Sequence, residues 1–179
     1  TDLLGNVVVG TSGDGMVLAA YGALACGNRV GLLDDGTALG NTGAGIRVLG
    51  DGAFIGRYPA LPSACVGGGN RIANNWSDGI AVEGSGTLIA ENLIEDQGLG
   101  GVFLGAAAAD NQVLDNLFAG NAESSLRVAA SAGTGNRAGP NFFAAETDIP
   151  VDLGDDGGTA NDAADADSGA NRLMNHPEI

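Results

Sequence analysis

The sequence predicts an all-β fold: a β-solenoid of about six coils with three short strands in each, followed by an irregular acidic C-terminal cap. Three observations carry the prediction. Residues 70–104 repeat at an offset of 22, with Asn70 over Asn92, Ile72 over Ile94, Gly79 over Gly101, and Ile80-Ala81-Val82 over Val102-Phe103-Leu104. Short apolar triplets parted by Gly, Asn and Asp recur along the chain, and Gly interrupts nearly every window that a helix would need. The 179 residues include 32 Gly and only 4% aromatics, a composition that suits stacked aliphatic coils with tight turns.

An Asn followed two residues later by an aliphatic or aromatic side chain marks each coil start: Asn6, Asn28, Asn70, Asn92, Asn116 and Asn141. Ten residues on comes a second triplet with apolar outer places: Met16-Val17-Leu18, Ile80-Ala81-Val82, Val102-Phe103-Leu104, Leu126-Arg127-Val128 and Val151-Asp152-Leu153. The coil from Asn28 departs from that spacing. Its triplet Ile46-Arg47-Val48 comes eight residues late, so an insertion lies within Gly31–Gly45. A third, weaker strand precedes the next start, with Ile89 and Val113 each three residues before an Asn. Three strands per coil imply a triangular cross-section.

Side chains alternate along a strand, so the outer residues of a triplet face inward and the middle one outward. Val8, Val30, Ile72, Ile94, Phe118 and Phe143 then stack in one interior column. Met16, Ile46, Ile80, Val102, Leu126 and Val151 form a second, and Leu18, Val48, Val82, Leu104, Val128 and Leu153 a third. The Asn column reads as an interior amide ladder with rungs about 4.8 Å apart. The glycines ahead of the second triplets, Gly15, Gly45, Gly79 and Gly101, are expected to take positive φ at the corners.

Two loops leave the regular coil, Leu32–Asn41 and Arg57–Gly69, both within the coil that starts at Asn28. Loops beside a rigid scaffold are where binding usually sits. Cys26 and Cys65 each lie shortly before a coil start on successive coils, so a disulfide between them is geometrically reasonable, with two buried thiols as the alternative. A disulfide would imply an oxidising compartment. The chain divides into a solenoid over 1–154 and an acidic segment over 155–179. In the latter, Asp155 and the alternating oxygens of Asp162, Asp165 and Asp167, followed by Gly169 and Asn171, partly resemble a calcium loop without its closing Glu. Calcium binding there competes with a merely solvated acidic tail.

These residues resemble the right-handed parallel β-helix repeat family, the pectate-lyase-like solenoids. More narrowly, GNRVGLLDDGTALGNTGAGIRVLGDGAFIG is similar to a long repeat of large secreted or cell-surface bacterial proteins. The segment from Val151 to Ile179 is similar to the acidic passage that follows such a helix. The resemblance implies the fold and a surface location. Activity stays open, because the same solenoid hosts lyases, hydrolases, epimerases, adhesins and plain stalks.

Lysine is absent, seven arginines face 22 carboxylates, and the formal net charge of −15 argues against nucleic acid or an anionic membrane surface as partner. No run of the sequence is long and apolar enough for a membrane span, and no leader pattern opens it; Thr1 reads as the start of a processed or excised chain. Arg29 and Arg71 hold the same outward place in successive coils, where two like charges invite an anion such as a uronate or sulfate, or else simple pairing with Asp34, Asp35 or other surface acids. Trp76, the single Trp, is placed at a corner where it either stacks on a sugar or covers a turn, and Tyr21, Phe54 and Tyr58 are placed to rim the long loop. Glu95, Asp96 and Asp115 are carboxylates a glycosidase would need, although solvated turns explain them as well. His176 is the only His, which leaves His-based catalysis without support.

These features point to an extracellular or cell-surface structural or adhesive module, stabilised by calcium and able to self-associate head-to-tail through its ends. The alternative is a carbohydrate-binding or polysaccharide-degrading domain, lyase or hydrolase, acting on acidic glycans through Arg29, Arg71, Trp76 and Tyr58.

Overall fold

The computed structural model describes residues 2–57, 65, 68–145, 148–158 and 160. The described chain forms eighteen strands and no helix. Coil 1 holds β1 (Asp2–Leu4), β2 (Val7–Val8) and β3 (Met16–Leu18), and coil 2 holds β4 (Leu24–Cys26), β5 (Arg29–Val30) and β6 (Ile46–Val48). Coil 3 holds β7 (Phe54–Gly56), β8 (Arg71–Ala73) and β9 (Ile80–Val82), and coil 4 holds β10 (Leu88–Ala90), β11 (Leu93–Glu95) and β12 (Val102–Leu104). Coil 5 holds β13 (Gln112–Leu114), β14 (Leu117–Ala119) and β15 (Leu126–Ala129), and coil 6 holds β16 (Arg137–Ala138), β17 (Phe142–Ala144) and β18 (Val151–Gly154).

Every third strand joins the same sheet, giving three six-stranded sheets in which each strand pairs in parallel with its equivalent one coil away. Sheet A begins with β1, sheet B with β2 and sheet C with β3. The registers match the predicted columns. Ile72 pairs with Ile94 and Ile94 with Phe118 in sheet B, while Ile80 pairs with Val102 and Val102 with Leu126 in sheet C. The columns are buried through the middle coils, and sheet A adds a fourth inward column of Leu3, Ala25, Ile55, Ile89 and Val113. At the last coil Phe143 stacks on Phe118 with ring centroids 5.4 Å apart.

The Asn ladder runs the full height of the solenoid. Each Nδ2 donates to the Oδ1 one coil on: Asn6 to Asn28 at 3.0 Å, Asn28 to Asn70 at 2.8 Å, Asn70 to Asn92 at 2.9 Å, Asn92 to Asn116 at 2.9 Å and Asn116 to Asn141 at 3.2 Å. Each Asn backbone N–H donates to the same oxygen, as Asn70 does to Asn92 at 3.0 Å. A second ladder occupies the next corner, with Asn41 donating to Asn75 at 2.8 Å and Asn75 to Gln97 at 3.1 Å. A third, shorter one joins Asn111 to Asn136 at 3.0 Å. These interior amides satisfy corner backbone groups that no strand pairing reaches.

The corner glycines correct the expectation for Gly15, Gly45, Gly79 and Gly101. None of them is among the residues at positive φ; the left-handed corners fall instead at positions such as Glu91, Asp96 and Asp110, with φ of 54°, 53° and 54°. Gly79 is required for a different reason. A Cβ there would stand 2.6 Å from Ile94 Cγ2 and 2.7 Å from the Gly101 carbonyl of the next coil. The four glycines form a column in which successive backbones approach too closely for any side chain, and Ser125 ends it.

The insertion expected within Gly31–Gly45 is a hairpin. The chain leaves coil 2 at Gly31, pairs Leu32 with Ala38 in an antiparallel bridge, and returns when the Leu39 N–H donates to the Gly31 carbonyl at 2.9 Å. The second excursion starts at Arg57, and apart from Cys65 its residues 58–67 lie outside the described residues.

Candidate functional site

Sheet B brings Arg29 and Arg71 together: the two are Cα partners on β5 and β8. The hairpin supplies Asp34 to Arg29 at 3.1 Å, and β11 supplies Glu95 to Arg71 at 2.7 Å. The arginine side chains remain 43% and 45% exposed. Ion pairs this exposed contribute at most ~1 kcal/mol each. Each guanidinium carries five N–H donors, so donors remain on both for an oxyanion bridging the two coils. Beyond Arg71 the same outward row turns apolar, through Leu93, Leu117 and Phe142.

Sheet C carries a second pair of arginines that sequence reasoning passed over. Arg47 donates through Nε to Asp14 of coil 1 at 2.6 Å and through Nη1 to Glu83 of coil 3 at 2.7 Å. The hydrogen bond that Arg47 donates to Asp14 raises the Arg47 pKa above its ordinary value, and burial opposes it. Arg127 is more enclosed. It meets Asp78 at 2.7 Å, Glu123 at 2.6 Å and Asp155 at 2.9 Å, and its guanidinium carbon lies 5.1 Å from the Phe103 ring centroid. Burial works against the Arg127 charge, yet Asp78 foremost, with Asp155 and Glu123, leaves its pKa raised. The signal in the sequence was the polar middle residue of Ile46-Arg47-Val48 and Leu126-Arg127-Val128.

These two clusters act as clamps. Arg47 ties coil 1 to coil 3, and Arg127 ties coil 3 to coils 5 and 6. A guanidinium fork reaching carboxylates above and below fixes coil spacing and twist together.

The remaining candidates are scattered. Trp76 stands 73% exposed at the corner after β8, its backbone N–H donating to the Asn41 carbonyl at 2.9 Å, and it joins neither arginine pair. Tyr21 is exposed at the opposite corner of sheet C, Phe54 is half-buried on sheet A, and Tyr58 lies outside the described residues. Glu95 is held by Arg71, while Asp96 and Asp115 are exposed residues with left-handed φ at corners.

Of the calcium candidates, Asp162, Asp165 and Asp167 lie outside the described residues, as do Gly169, Asn171 and His176. Asp155 is described, and Arg127 holds its carboxylate. Among the described residues no group of three or more His, Cys, Asp or Glu is arranged to hold a metal ion. Asp152 is buried because its carboxylate accepts the backbone N–H of Asp156 at 3.3 Å and of Gly157 at 3.0 Å, which turns the chain sharply after β18. Cys26 and Cys65 form a disulfide with Cα atoms 5.6 Å apart, tying the second excursion to sheet A.

No curated protein and no solved structure matches the chain. A family model described as the right handed beta helix region matches residues 5–141, from the corner ahead of the first Asn rung to the last rung itself. Coil, ladder and family model coincide over well over half of the sequence, and the chain belongs to the right-handed β-helix family.

Proposed function

We propose that the chain is a structural segment of an extracellular or cell-surface solenoid, a stiff rod that spaces or displays other elements and lends itself to adhesion. One observation carries this reading: an unbroken lattice, in which three parallel sheets and a six-rung amide column run from coil 1 to coil 6 while Arg47 and Arg127 bind coils that are not neighbours. The Cys26–Cys65 disulfide and the net charge of −15 support a location outside the cytoplasm. The test is single-molecule stretching between the two ends. A rod should resist and then give way in coil-sized steps, about 7–8 nm for 22 residues at full extension. Extension without any force peak would remove the structural reading.

Calcium belongs to the same proposal as a stabiliser of the acidic segment through Asp162, Asp165 and Asp167. Chelation should lower the melting temperature and hasten proteolysis after residue 155. An unchanged melt and digest would take the ion out of the account.

A second reading is favoured by the adjacent, half-exposed Arg29 and Arg71: retention of an acidic polysaccharide on sheet B, with or without cleavage. A panel of uronate and sulfated glycans separates the cases. Retention that vanishes in the double variant Arg29→Ala, Arg71→Ala supports it, and no retention by the unaltered chain ends it.

A further inference from the structure

We infer that Arg29 and Arg71 select a monoester of a tetrahedral oxyanion, a sulfate or phosphate ester carried on a glycan, over the carboxylate of a uronate. This selectivity rests on the second reading above, glycan retention on sheet B, and names the group that is held there.

The two side chains start from Cα partners on adjacent strands, about 4.8 Å apart. Each already has one carboxylate of the chain. Glu95 accepts from Arg71 Nε at 2.7 Å, and Asp34 lies 3.1 Å from Arg29 Nη1. Among the described residues the Arg71 guanidinium donates that one hydrogen bond, and the Arg29 contact is looser. Both side chains stay close to half exposed, so an incoming anion can reach them.

A uronate carboxylate has two oxygens. Bound here, it would take the place of Asp34 or Glu95 and return the same kind of contact after giving up its own hydration, so the exchange gains little. A sulfate or phosphate monoester has three terminal oxygens. One oxygen can be shared between the coils while each of the others completes a fork with one guanidinium, which gives both arginines paired, charge-assisted bonds. No acid of the chain is placed to do this for both at once among the described residues. The bridging anion also removes the repulsion between two like charges on neighbouring strands.

The carbon body of the ester has a place as well. The outward row runs on from Arg71 to Leu93 and Leu117, the latter 41% exposed, so a sugar ring joined to the ester lies along the stack with its C–H face on the sheet. The hairpin that carries Asp34 is anchored at its base. Gly31 and Gly40 press on the Ala73 and Asn74 carbonyls of coil 3 too closely for any Cβ, and Leu32 is fully buried. Asp34 is therefore a fixed competitor at Arg29, one that a bridging ester displaces and a lone carboxylate merely replaces.

The net charge of −15 sets the background for the test. The chain as a whole repels polyanions, so retention of one reports a local site. The full chain is run on dextran sulfate, phosphorylated dextran and polygalacturonate matched in charge density, with plain dextran as reference. Retention on an ester polymer about tenfold stronger than on polygalacturonate is expected, and the stronger of the two ester arms identifies the ester. Arg29→Ala and Arg71→Ala should each lose about tenfold, with the double variant little worse than either, because a bridge needs both groups. Asp34→Asn should tighten ester retention about two- to fivefold, since an exposed ion pair no longer competes. Melting curves of the variants separate a lost contact from a lost fold. Polygalacturonate held as well as the esters, plain dextran held as well as either, or one silent arginine variant would overturn the selectivity and leave retention on sheet B to stand. No retention on any polymer, or retention that survives both arginine substitutions together, would end the reading and the selectivity alike.

Discussion

Arg127 donates to Asp78 at 2.7 Å across 49 positions of sequence, passing over the Phe103 ring of the intervening coil. The two side chains are only 12% and 7% exposed. A pair this enclosed is strong evidence of coupling between coils and weak evidence of net stability, because desolvation offsets much of the attraction.

Removing one partner is another matter. Arg127→Ala would leave Asp78 buried beside Glu123 and Asp155 with no cation, at a cost of about 3–5 kcal/mol. The double change Arg127→Met, Asp78→Asn should recover most of it. Urea denaturation of the single and double variants checks this; equal losses in both would show that the pair is not coupled.

Asn92 sits mid-ladder. Its Oδ1 accepts two bonds from Asn70, and its Nδ2 donates to Asn116 Oδ1 and to the Ile55 carbonyl at 3.0 Å. Asn92→Leu is close in size yet leaves several interior groups unpaired, each worth about 1–3 kcal/mol, so the variant should fail to fold at ordinary temperature or melt far lower. Asn141→Leu, on the half-buried last rung, should cost much less. Melting curves that rank the two the other way would contradict the ladder as a stabilising element.

The glycine column predicts opposite signs at two positions. Gly79→Ala forces a methyl against Ile94 and the Gly101 carbonyl, and should destabilise by ~1–3 kcal/mol. Ser125 ends the same column and its hydroxyl is buried without a partner among the described residues, so Ser125→Ala should be neutral or stabilising. Calorimetry on both variants decides. A harmless Gly79→Ala would mean that the coils can part by several tenths of an ångström.

The disulfide closes a loop of 39 positions, for which the chain-entropy estimate is about 4 kcal/mol. Reduction, or Cys26→Ser with Cys65→Ser, should lower the melting temperature by roughly 10 °C. A melt indifferent to reductant would show that coils 2 and 3 do not need the tie.

Asp35 gives a pH signature in the hairpin. The Thr37 N–H donates to its carboxylate at 2.9 Å and holds its pKa below the ordinary 3.8. A depressed folded pKa contributes stability that is present above the unfolded value and lost as pH falls through the folded one. The hairpin should therefore loosen below pH 3.8, and carbon-detected titration of the Asp35 carboxyl should place its midpoint below that value. A midpoint at or above 3.8 would contradict the turn geometry.

Coil count, strand positions and the main amide ladder were all legible in the chain alone. Each depends on what stands at a fixed offset, and a stack with one parallel register turns sequence offset into spatial neighbourhood. Asn70 over Asn92 is a contact that can be read as a spacing. The second ladder was legible by the same rule, since Asn75, Gln97 and Asn121 each follow a marked Asn by five residues, but its mixed amides hid the column. Other features lie off that axis and emerge only once the coils are stacked. The close approach at Gly79 comes from the backbone of another coil and not from local φ preference. The clamps of Arg47 and Arg127 depend on side chains long enough to reach carboxylates on other coils, and between Asp14 and Arg47 the hairpin after Gly31 also shifts the numbering. Spacing specifies which residues share a column; side-chain reach and the width of the gap between backbones specify which of them touch.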